Sequence, residues 1–330
     1  MRILITGGAG FIGSNLLHYW CEKHPEDRVV CLDKLTYAGH LESIRPLIDD
    51  GRIDFVRGDI CISDDVLNAM RGADTVIHLA AESHVDRSID RPDEFVRTNV
   101  LGTFTLLEEA RRLDVRRFHH VSTDEVFGTL SLDSVRKFSE RTRYNPRSPY
   151  AASKAASDHL VRSYGETYGM TITVSNCGNN FGPFQHPEKI IPRFVTLLKS
   201  GKNVPVYGDG LNVRDWIYVV DHCSALDAIV GRGKSGSTYV VSGRNELSNI
   251  ELTRKILSIM NLGQDRIDYI GDRPGHDRRY ALDDSKLRKE LGWKPSMRLN
   301  DALKATVEWY LDNEWWWKGF GDSYSFSAKR

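Results

Sequence analysis

The sequence contains few cysteines and places none of them in a paired motif. Its 330 residues include five, an odd number. They stand far apart and form no CxxC pair, at Cys21, Cys31, Cys61, Cys177 and Cys223. This pattern favours neither a disulfide framework nor a zinc site, so we expect structural or incidental thiols and no bound metal.

The chain also lacks a long apolar run and an excess of charge of either sign. No stretch reaches the roughly 18 apolar residues that a membrane-spanning helix requires. The amino terminus enters the strand-like RILIT without the apolar region of a signal peptide. Forty-five basic residues balance 45 acidic ones, so no overall field attracts nucleic acid or an anionic membrane. We therefore expect a cytoplasmic protein with a small-molecule partner and no binding to nucleic acid or membrane.

Apolar segments of strand and helix length alternate through residues 1–182. Longer helical patterns start near residue 11 and cover about 93–113 and 151–168. The strand-like segments are RILIT, RVVCLD, IDFVRGD, DTVIHLAA, RRFHHVST and MTITVSN. Such alternation predicts an α/β fold, a doubly wound parallel sheet of the Rossmann type with helices on both faces.

The pattern loosens after residue 182, where prolines become frequent. Short strand-like segments such as VPVY and DWIYV lie there between helical runs. This predicts a smaller, mixed α/β region over residues 183–330 that mainly binds the substrate, from which the chain can cross back to the first domain.

Three glycines stand between the first strand and the first helix. Gly7, Gly10 and Gly13 form GxxGxxG within GGAGFIG, where small residues let backbone amides approach a pyrophosphate. The spacing departs from GxGxxG, and a tight turn without a ligand is the alternative. Asp33, 20 residues beyond Gly13, suits the ribose hydroxyls and favours NAD over NADP, although the neighbouring Lys34 could accommodate a phosphate.

Tyr150 and Lys154 lie four residues apart in YAASK. On a helix they share one face, which predicts that the ammonium lowers the phenol pKa from about 10 toward the working pH. The phenolate could then take a hydroxyl proton while hydride leaves the same carbon. A pair of surface residues is the alternative. The Tyr150–Lys154 pair begins the helix after the fifth strand, where ligands collect in doubly wound sheets, and this position favours the catalytic interpretation.

Thr123, Asp124 and Glu125 follow a predicted strand in STDEVFG. Residues at the carboxyl edge of a parallel sheet should face the ligand crevice, although a capped, solvated turn is the alternative. Two adjacent carboxyl groups push their pKa values apart, so that one can donate a proton and the other accept one. Elimination of water needs both functions.

These segments together resemble those of the dTDP-glucose 4,6-dehydratases, members of the extended short-chain dehydrogenase/reductase superfamily. The resemblance covers nearly the whole chain. Its glycine and YxxxK motifs are common to the superfamily, whereas TDE and the segments NN, PEKIIP and RPGHDRR are typical of the dehydratases. The similar segments are TGGAGFIG, HLAAESHVDRSI, STDEVFG, SPYAASKAASD, NNFGPFQHPEKIIP and RPGHDRRYALD.

The resemblance implies conversion of dTDP-glucose to dTDP-4-keto-6-deoxyglucose and water. Tyr150, assisted by Lys154 and Thr123, would take the C4 hydroxyl proton while NAD takes the C4 hydride. Glu125 would then remove the C5 proton as Asp124 protonates the departing C6 hydroxyl. Return of the hydride to C6 regenerates NAD, which implies a tightly bound cofactor.

The resemblance also implies two sets of binding residues. On the NAD side these are Gly7, Gly10, Phe11, Ile12, Gly13, Asp33, Lys34, Leu35, Thr36, Asp59, Ile60, Ala80, Ala81, Thr98, Tyr150, Lys154 and Asn180. On the nucleotide-sugar side they are Ser83, Thr123, Asn179, Lys189, Pro205, Tyr207, Arg214, Asn249, Arg273 and His276. Arg214 and Arg273 suit a diphosphate because a guanidinium binds its oxygens in pairs, although a single arginine is more often a solvated surface group.

Other functions remain open from the sequence. The base of the nucleotide can be thymine or uracil, since one methyl group contributes only about 1 kcal/mol. An epimerase or decarboxylase of the same superfamily, or a non-catalytic dinucleotide sensor, is a further alternative.

The resemblance implies a homodimer through helices near 93–113 and 151–168. We expect the tryptophans at 315–317 to pack on the C-terminal region, and an exposed surface for a partner is the alternative.

Overall fold

The computed structural model describes residues 1–272 and 276–320, in which twelve strands are found. They are β1 Arg2–Thr6, β2 Arg28–Asp33, β3 Ile53–Arg57, β4 Thr75–His78, β5 Arg117–Thr123, β6 Ile172–Cys177, β7 Asn179–Phe181, β8 Val204–Tyr207, β9 Val213–Tyr218, β10 Ser237–Val241, β11 Glu246–Ser248 and β12 Ile267–Ile270.

Thirteen α-helices accompany these strands in the same two ranges of the chain. They are α1 Phe11–Lys23, α2 Arg45–Asp49, α3 Ser63–Met70, α4 Val85–Asp90, α5 Pro92–Phe95, α6 Gly102–Arg112, α7 Pro149–Tyr168, α8 Ile190–Lys199, α9 Val219–Arg232, α10 Asn249–Ile259, α11 Ser285–Leu291, α12 Leu299–Asp312 and α13 Glu314–Lys318.

Seven strands form one parallel sheet in the order β3-β2-β1-β4-β5-β6-β10. The predicted doubly wound parallel sheet is therefore confirmed. Because all its strands run in one direction, the loops that carry the sequence motifs leave them at the same carboxyl edge. Strand β10 joins this sheet from well beyond residue 182, since it pairs with β6.

Apolar side chains cover both faces of the main sheet. On one face Leu4, Val30 and Val76 pack with residues of α3, α6 and α7. On the other, Ile3 and Ile5 pack with residues of α1 and α9. Burial on both faces explains why the strands read as continuous apolar runs. Each fully buried large side chain of this kind contributes about 1.5–3 kcal/mol.

The helix expected over 93–113 is interrupted in its geometry. Helix α5 passes into a π-helical segment, Val96–Leu101, which continues directly into α6. The wider π turn contains Asn99, whose side chain is 1% exposed. Its amide binds both the backbone of Glu82 and the hydroxyl of Ser153 on α7. The π turn thus connects a cleft loop to the helix that carries Tyr150.

The C-terminal region contains two small sheets. One has the order β11-β9-β7, and the other pairs β12 with β8. A separate apolar core joins β8 and β9 to α8, α10 and α12. The mixed α/β character expected for this part of the chain is therefore confirmed.

The tryptophans at 315–317 divide between core and surface. Trp316 and Trp317 are buried in the C-terminal core, whereas Trp315 is 58% exposed. The Trp316 indole Nε1 donates to the hydroxyl of Ser43 at 3.0 Å, and its ring packs on His40. The expected packing is confirmed for two of the three, and Trp316 also ties the C-terminal region to the loop after β2.

None of the helices described combines the length and the hydropathy that spanning a bilayer requires. All five cysteines carry unpaired thiols, and four of them are buried.

Replacement of Trp316 by alanine should lower the free energy of unfolding by about 3–5 kcal/mol, because it removes a fully buried indole that connects two regions. Urea denaturation followed by circular dichroism measures this. Trp315→Ala is the matched control and should stay within about 0.5 kcal/mol of the wild type. Equal losses in the two variants would contradict the packing described.

Candidate active site

The glycine loop brings the amino terminus of α1 close to the carboxyl edge of β1. Gly7 has φ +72°, a left-handed conformation that favours glycine. A Cβ on Gly13 would lie 2.1 Å from the carbonyl oxygen of Gly7. Gly10 caps α1 without a side-chain hydrogen bond, so amides of the first helical turn remain available to an anion. This cradle fits a pyrophosphate.

Asp33 lies at the end of β2 beside this loop. One carboxylate oxygen accepts the Ala9 amide at 2.9 Å, and the other accepts the Leu35 amide at 2.8 Å. Burial raises the pKa of Asp33, although these two hydrogen bonds act to lower it. The Lys34 ammonium contacts Asp59 at 2.8 Å. Because that cation already has an anionic partner, it gives little support to NADP, and the preference for NAD stands.

The Thr123–Glu125 segment begins a short 3₁₀ helix at the end of β5. Asp124 is 2% exposed, and one of its carboxylate oxygens is buried without a hydrogen-bond partner. Burial, reinforced by the neighbouring Glu125, raises the pKa of Asp124 well above its usual range. Burial therefore favours the protonated form of Asp124, the form that a proton donor needs.

Tyr150 stands in the first turn of α7, which is capped by the Ser148 hydroxyl. Its ring packs edge-on against Phe95 and is 8% exposed. Burial raises the pKa of Tyr150 well above 10, Glu125 raises it further, and a hydrogen bond with Thr123 opposes them. In this arrangement the phenol pKa is therefore raised, not lowered toward the working pH as expected, because exclusion of water outweighs the hydrogen bond with Thr123.

Lys154 lies one turn after Tyr150 and is 3% exposed. Its ammonium donates to the carbonyl oxygen of Val121 at 2.9 Å and lies 3.4 Å from Nε2 of His120. Burial lowers the pKa of Lys154 to about 8, although Asp158 and Cys177 act to raise it. The helical spacing thus brings Lys154 to the cleft wall as predicted, while its hydrogen bonds hold it against β5.

The opposite wall comes from the segment between β6 and α8. The side-chain oxygen of Asn180 lies 2.9 Å from Nδ1 of His222. The backbone carbonyl of Asn180 accepts a hydrogen bond from the side-chain amide of Gln185. Asn179 and Gln185 each have a buried side-chain oxygen without a hydrogen-bond partner. Glu188 approaches His84 and Arg87 across the cleft, at 3.6 Å and 3.7 Å. Buried polar atoms of this kind indicate a site built for a polar ligand.

One continuous cleft contains most of the predicted site residues. From the NAD set it is lined by Gly7, Gly10, Phe11, Ile12, Gly13, Asp33, Lys34, Thr36, Asp59, Ile60, Ala80, Ala81, Thr98, Tyr150, Lys154 and Asn180. It also brings together Thr123, Asp124, Glu125, Ser83, Asn179 and Lys189. Leu35 does not line the cleft, although its amide holds Asp33.

The remaining predicted substrate residues that the structure describes lie in the C-terminal region rather than on this cleft wall. Pro205 and Tyr207 belong to β8, and the Tyr207 ring meets His276 edge-on. Asn249 begins α10. Arg214 is 6% exposed, donates to two backbone carbonyls and packs over the Tyr280 ring. Arg273 lies outside the described residues.

Several cleft residues were missed in the sequence. Glu82, Cys177, Gln185, His186 and Glu188 line it. Glu82 and Glu188 each stand next to a predicted substrate residue, Ser83 and Lys189, and that adjacency was the available signal. Burial raises the pKa of both glutamates and lowers the pKa of His186 to about 4. Their role as cleft residues can be recognised only in the folded structure, where the two walls of the cleft lie together.

This arrangement can hold a dinucleotide beside a phenol, a protonated carboxyl group and a second carboxyl group. In the described part of the chain, no cluster of three histidine, cysteine or acidic side chains suits a metal ion.

Comparisons with known proteins agree with this chemistry. A family model described as GDP-mannose 4,6 dehydratase matches residues 4–306. The dTDP-glucose 4,6-dehydratase of Mycobacterium tuberculosis H37Rv is 49% identical over 98% of this chain and 97% of its own length. One from Escherichia coli is 47% identical over 96% of this chain and 94% of its own.

Solved structures show the same fold at two levels of similarity. The dTDP-glucose 4,6-dehydratase DesIV of Streptomyces venezuelae, solved with NAD and dTDP bound, superimposes with a TM-score of 0.94 at 44% identity. The match covers 97% of this chain and all of DesIV. A UDP-glucose 4-epimerase of Thermus thermophilus, in complex with NAD, has a TM-score of 0.87 at 29% identity over 95% of this chain and all of that one.

Gly13→Ala should abolish retention of NAD, because the added methyl would lie too close to the Gly7 carbonyl for loop and helix to keep their contact. NAD released from the purified, denatured protein measures this. Gly231→Ala in α9 is the control, since its methyl would meet nothing within 4 Å. Full NAD content in Gly13→Ala would show that the helix terminus is not the cradle.

Proposed function

The chain belongs to the dTDP-glucose 4,6-dehydratases of the extended short-chain dehydrogenase/reductase superfamily, and we propose that it converts dTDP-glucose to dTDP-4-keto-6-deoxyglucose and water. It is an NAD-dependent hydro-lyase. Residues 1–182 form mainly the NAD-binding and catalytic domain, and residues 183–330 mainly bind the nucleotide sugar.

The observation that best supports this function is the presence of Asp124, Glu125 and Tyr150 in one cleft. Epimerases share the fold and the use of NAD, so neither feature distinguishes a dehydratase. An epimerase oxidises C4 and then reduces it again, and it eliminates no water. A protonated carboxyl group next to a second carboxyl group supplies what elimination of water requires in addition.

Tyr150, in its phenolate form, acts as the base for the first step. The glycine loop and Asp33 would hold NAD, which would supply the hydride acceptor for C4 and the hydride donor for C6. Tyr150 takes the proton of the C4 hydroxyl, and Thr123 holds the phenol through a hydrogen bond. Lys154, buried on the same face of α7, supplies a positive charge that favours the phenolate.

Glu125 and Asp124 divide the elimination between them. The C4 ketone acidifies the hydrogen on C5, and Glu125 removes that proton. Asp124 protonates the C6 hydroxyl, which leaves as water. Glu125 then returns a proton to C5 as the hydride reaches C6. Burial and the neighbouring Glu125 raise the pKa of Asp124, which favours the protonated form that this step needs.

The balance of protons assigns a further role to Thr123. After one turnover Tyr150 holds the proton from the C4 hydroxyl, whereas Asp124 has given its proton to water. The Thr123 hydroxyl contacts both groups, at 3.4 Å from an oxygen of Asp124. Thr123 therefore returns the proton from Tyr150 to Asp124 before the next cycle.

The nucleotide sugar binds along the wall opposite the glycine loop. Ser83, Asn179 and Lys189 contact it from the cleft. Residues of the C-terminal region bind the diphosphate and base, and these are Pro205, Tyr207, Arg214, Asn249, Arg273 and His276. Competition between dTDP-glucose and UDP-glucose tests the choice of base.

We also propose that the protein is a cytoplasmic homodimer. Val96, Leu101 and Phe104 are 57%, 47% and 42% exposed on the helical segment beside α7. Apolar side chains at helical spacing form a surface that a second copy can cover. Five unpaired thiols suit a reducing compartment.

Conversion of dTDP-glucose is tested with purified protein by the alkaline absorbance of a 4-keto sugar. A dehydratase produces that absorbance and consumes the substrate. Formation of dTDP-galactose alone would instead identify an epimerase and overturn the proposal. With deuterium on C4 of the substrate, the label should appear in the C6 methyl group of the same molecule.

Asp124→Asn should lower kcat by about 10²–10⁴-fold, the usual contribution of a general acid. In deuterium oxide this variant should still exchange the C5 hydrogen, because Glu125 is intact. Glu125→Gln should lose both product and exchange, and Tyr150→Phe should block the oxidation that precedes them. NMR of the recovered sugar measures the exchange. Unchanged turnover in any of the three would contradict the assigned roles.

Phe104→Glu should convert the homodimer to a monomer, since a charge in the apolar surface cannot be desolvated without a partner. Sedimentation velocity measures the change. Val135→Glu is the control at a site 94% exposed. A wild-type monomer, or a variant that remains dimeric, would exclude this surface.

A further inference from the structure

A buried polar network lies behind the proposed catalytic face of α7. Tyr150, Lys154 and Asp158 are spaced by four residues, so they occupy successive turns on one side of the helix. Asp158 is fully buried, and Lys154 is 3% exposed. Two ionisable groups of opposite sign are thus enclosed one turn apart.

His120 of β5 stands between these two groups. Its Nε2 lies 3.4 Å from the Lys154 ammonium and 3.3 Å from a carboxylate oxygen of Asp158. Burial and the charge of Lys154 lower the pKa of His120 to about 4, so the ring is neutral at pH 7. This nitrogen lies between the cation and the carboxylate, and in the neutral ring it can either accept from the ammonium or donate to Asp158, but not both at once.

Two hydrogen-bond donors hold Asp158. Its second carboxylate oxygen accepts the Tyr144 hydroxyl at 2.6 Å and the Asn176 amide at 3.2 Å. Arg162 in turn donates to the Tyr144 hydroxyl at 2.6 Å. The same Asn176 amide nitrogen donates to the carbonyl of Thr123 at 3.1 Å. The network thus joins Lys154 to the start of the segment that carries Asp124 and Glu125.

We propose that Asp158 is the counter-ion of Lys154 and that His120 connects the two, so that both act as positioning residues for the dehydratase reaction. This proposal rests on the proposed function. A buried ammonium is stable only beside an anion, and a carboxylate held by two hydrogen-bond donors, Tyr144 and Asn176, supplies one without taking the proton. Asp158 thereby keeps Lys154 charged next to Tyr150.

The surroundings contain no competing anion among the described residues. Besides Asp158, the acidic group that acts on Lys154 is the thiol of Cys177 on β6, and burial raises its pKa to about 12. Cys177 is therefore neutral at working pH. The other titratable or charged groups facing this network are His78 of β4, His119 and His120 of β5, Tyr144 of the loop before α7, and Tyr150 and Arg162 of α7.

The direction of the effect on pH dependence follows from the charges. The Asp158 carboxylate favours the ammonium form of Lys154, so its removal lets the ammonium lose its proton at a lower pH. Activity that needs this ammonium then declines earlier as the pH rises. A purely structural role would reduce activity by the same factor at every pH.

Asp158→Asn is the decisive variant, because an amide keeps the shape and removes the charge. In the NAD-containing enzyme, the alkaline limb of kcat against pH should move down by at least one pH unit. That corresponds to a tenfold or greater loss on the alkaline side, with partial recovery at lower pH. The KM for dTDP-glucose should change less than twofold, since the groups proposed to bind the sugar are intact.

His120→Asn is the second variant and remains informative if Asp158→Asn does not fold. It leaves the carboxylate in place but removes the ring that connects it to the ammonium, so the limb should move in the same direction by a smaller amount. His119→Gln is the matched control. His119 is fully buried on the same strand, but it binds Thr173 and Ser175 on the opposite face.

An alkaline limb that stays in place in a folded, NAD-containing variant at position 158 or 120 would overturn the inference, as would an equal shift in His119→Gln. Wild-type turnover of dTDP-glucose is measured first. Its absence would contradict the proposed function itself, whereas an active wild type with unmoved limbs would contradict only the roles of Asp158 and His120.

Discussion

Exclusion of water from ionisable groups at the carboxyl edge of the main sheet determines how this site behaves. Asp124, Tyr150, Lys154 and Asp158 are all nearly or fully buried. Burial favours the uncharged form, so Asp124 keeps its proton and Tyr150 resists losing its own. Asp124 and Tyr150 can then exchange protons with each other and with the substrate, whereas the partly exposed Glu125 can also exchange its proton with solvent. A reaction that takes protons up and returns them within one turnover suits such an enclosed site.

The fold supplies that enclosure by joining its two parts more than once. Strand β10 returns from the C-terminal half to pair with β6 beside the catalytic strands. Trp316 reaches from the last helix to Ser43 in the loop after β2, and Glu188 approaches Arg87 and His84 across the cleft. Because these contacts connect segments distant in sequence, the walls around the cofactor and the sugar are held by packing on both sides.

Much of the architecture was predictable because its signals are local. Apolar runs, the glycine spacing and Asp33 at the end of β2 indicated a parallel sheet with a dinucleotide site, and the structure has that sheet. The π turn around Asn99 was not predictable, since its extra residue per turn leaves no distinct period in a short helical pattern. The side-chain directions of Lys154 and Arg214 were also beyond reach, because each is set by carbonyl groups on another segment.

The sequence alone determined the identity and order of the chemical groups: a phosphate-binding loop, an acidic residue for the ribose, a Thr-Asp-Glu segment and a Tyr-Lys helix. These follow from short-range spacing, which a linear chain displays directly. Only the tertiary structure decided their protonation and their partners. The pKa of Asp124, the pairing of Lys34 with Asp59 and the meeting of Lys154, His120 and Asp158 depend on burial and on distances between segments. Both arise when the chain packs, because electrostatic free energy depends on the surrounding medium and on separation in space rather than along the sequence.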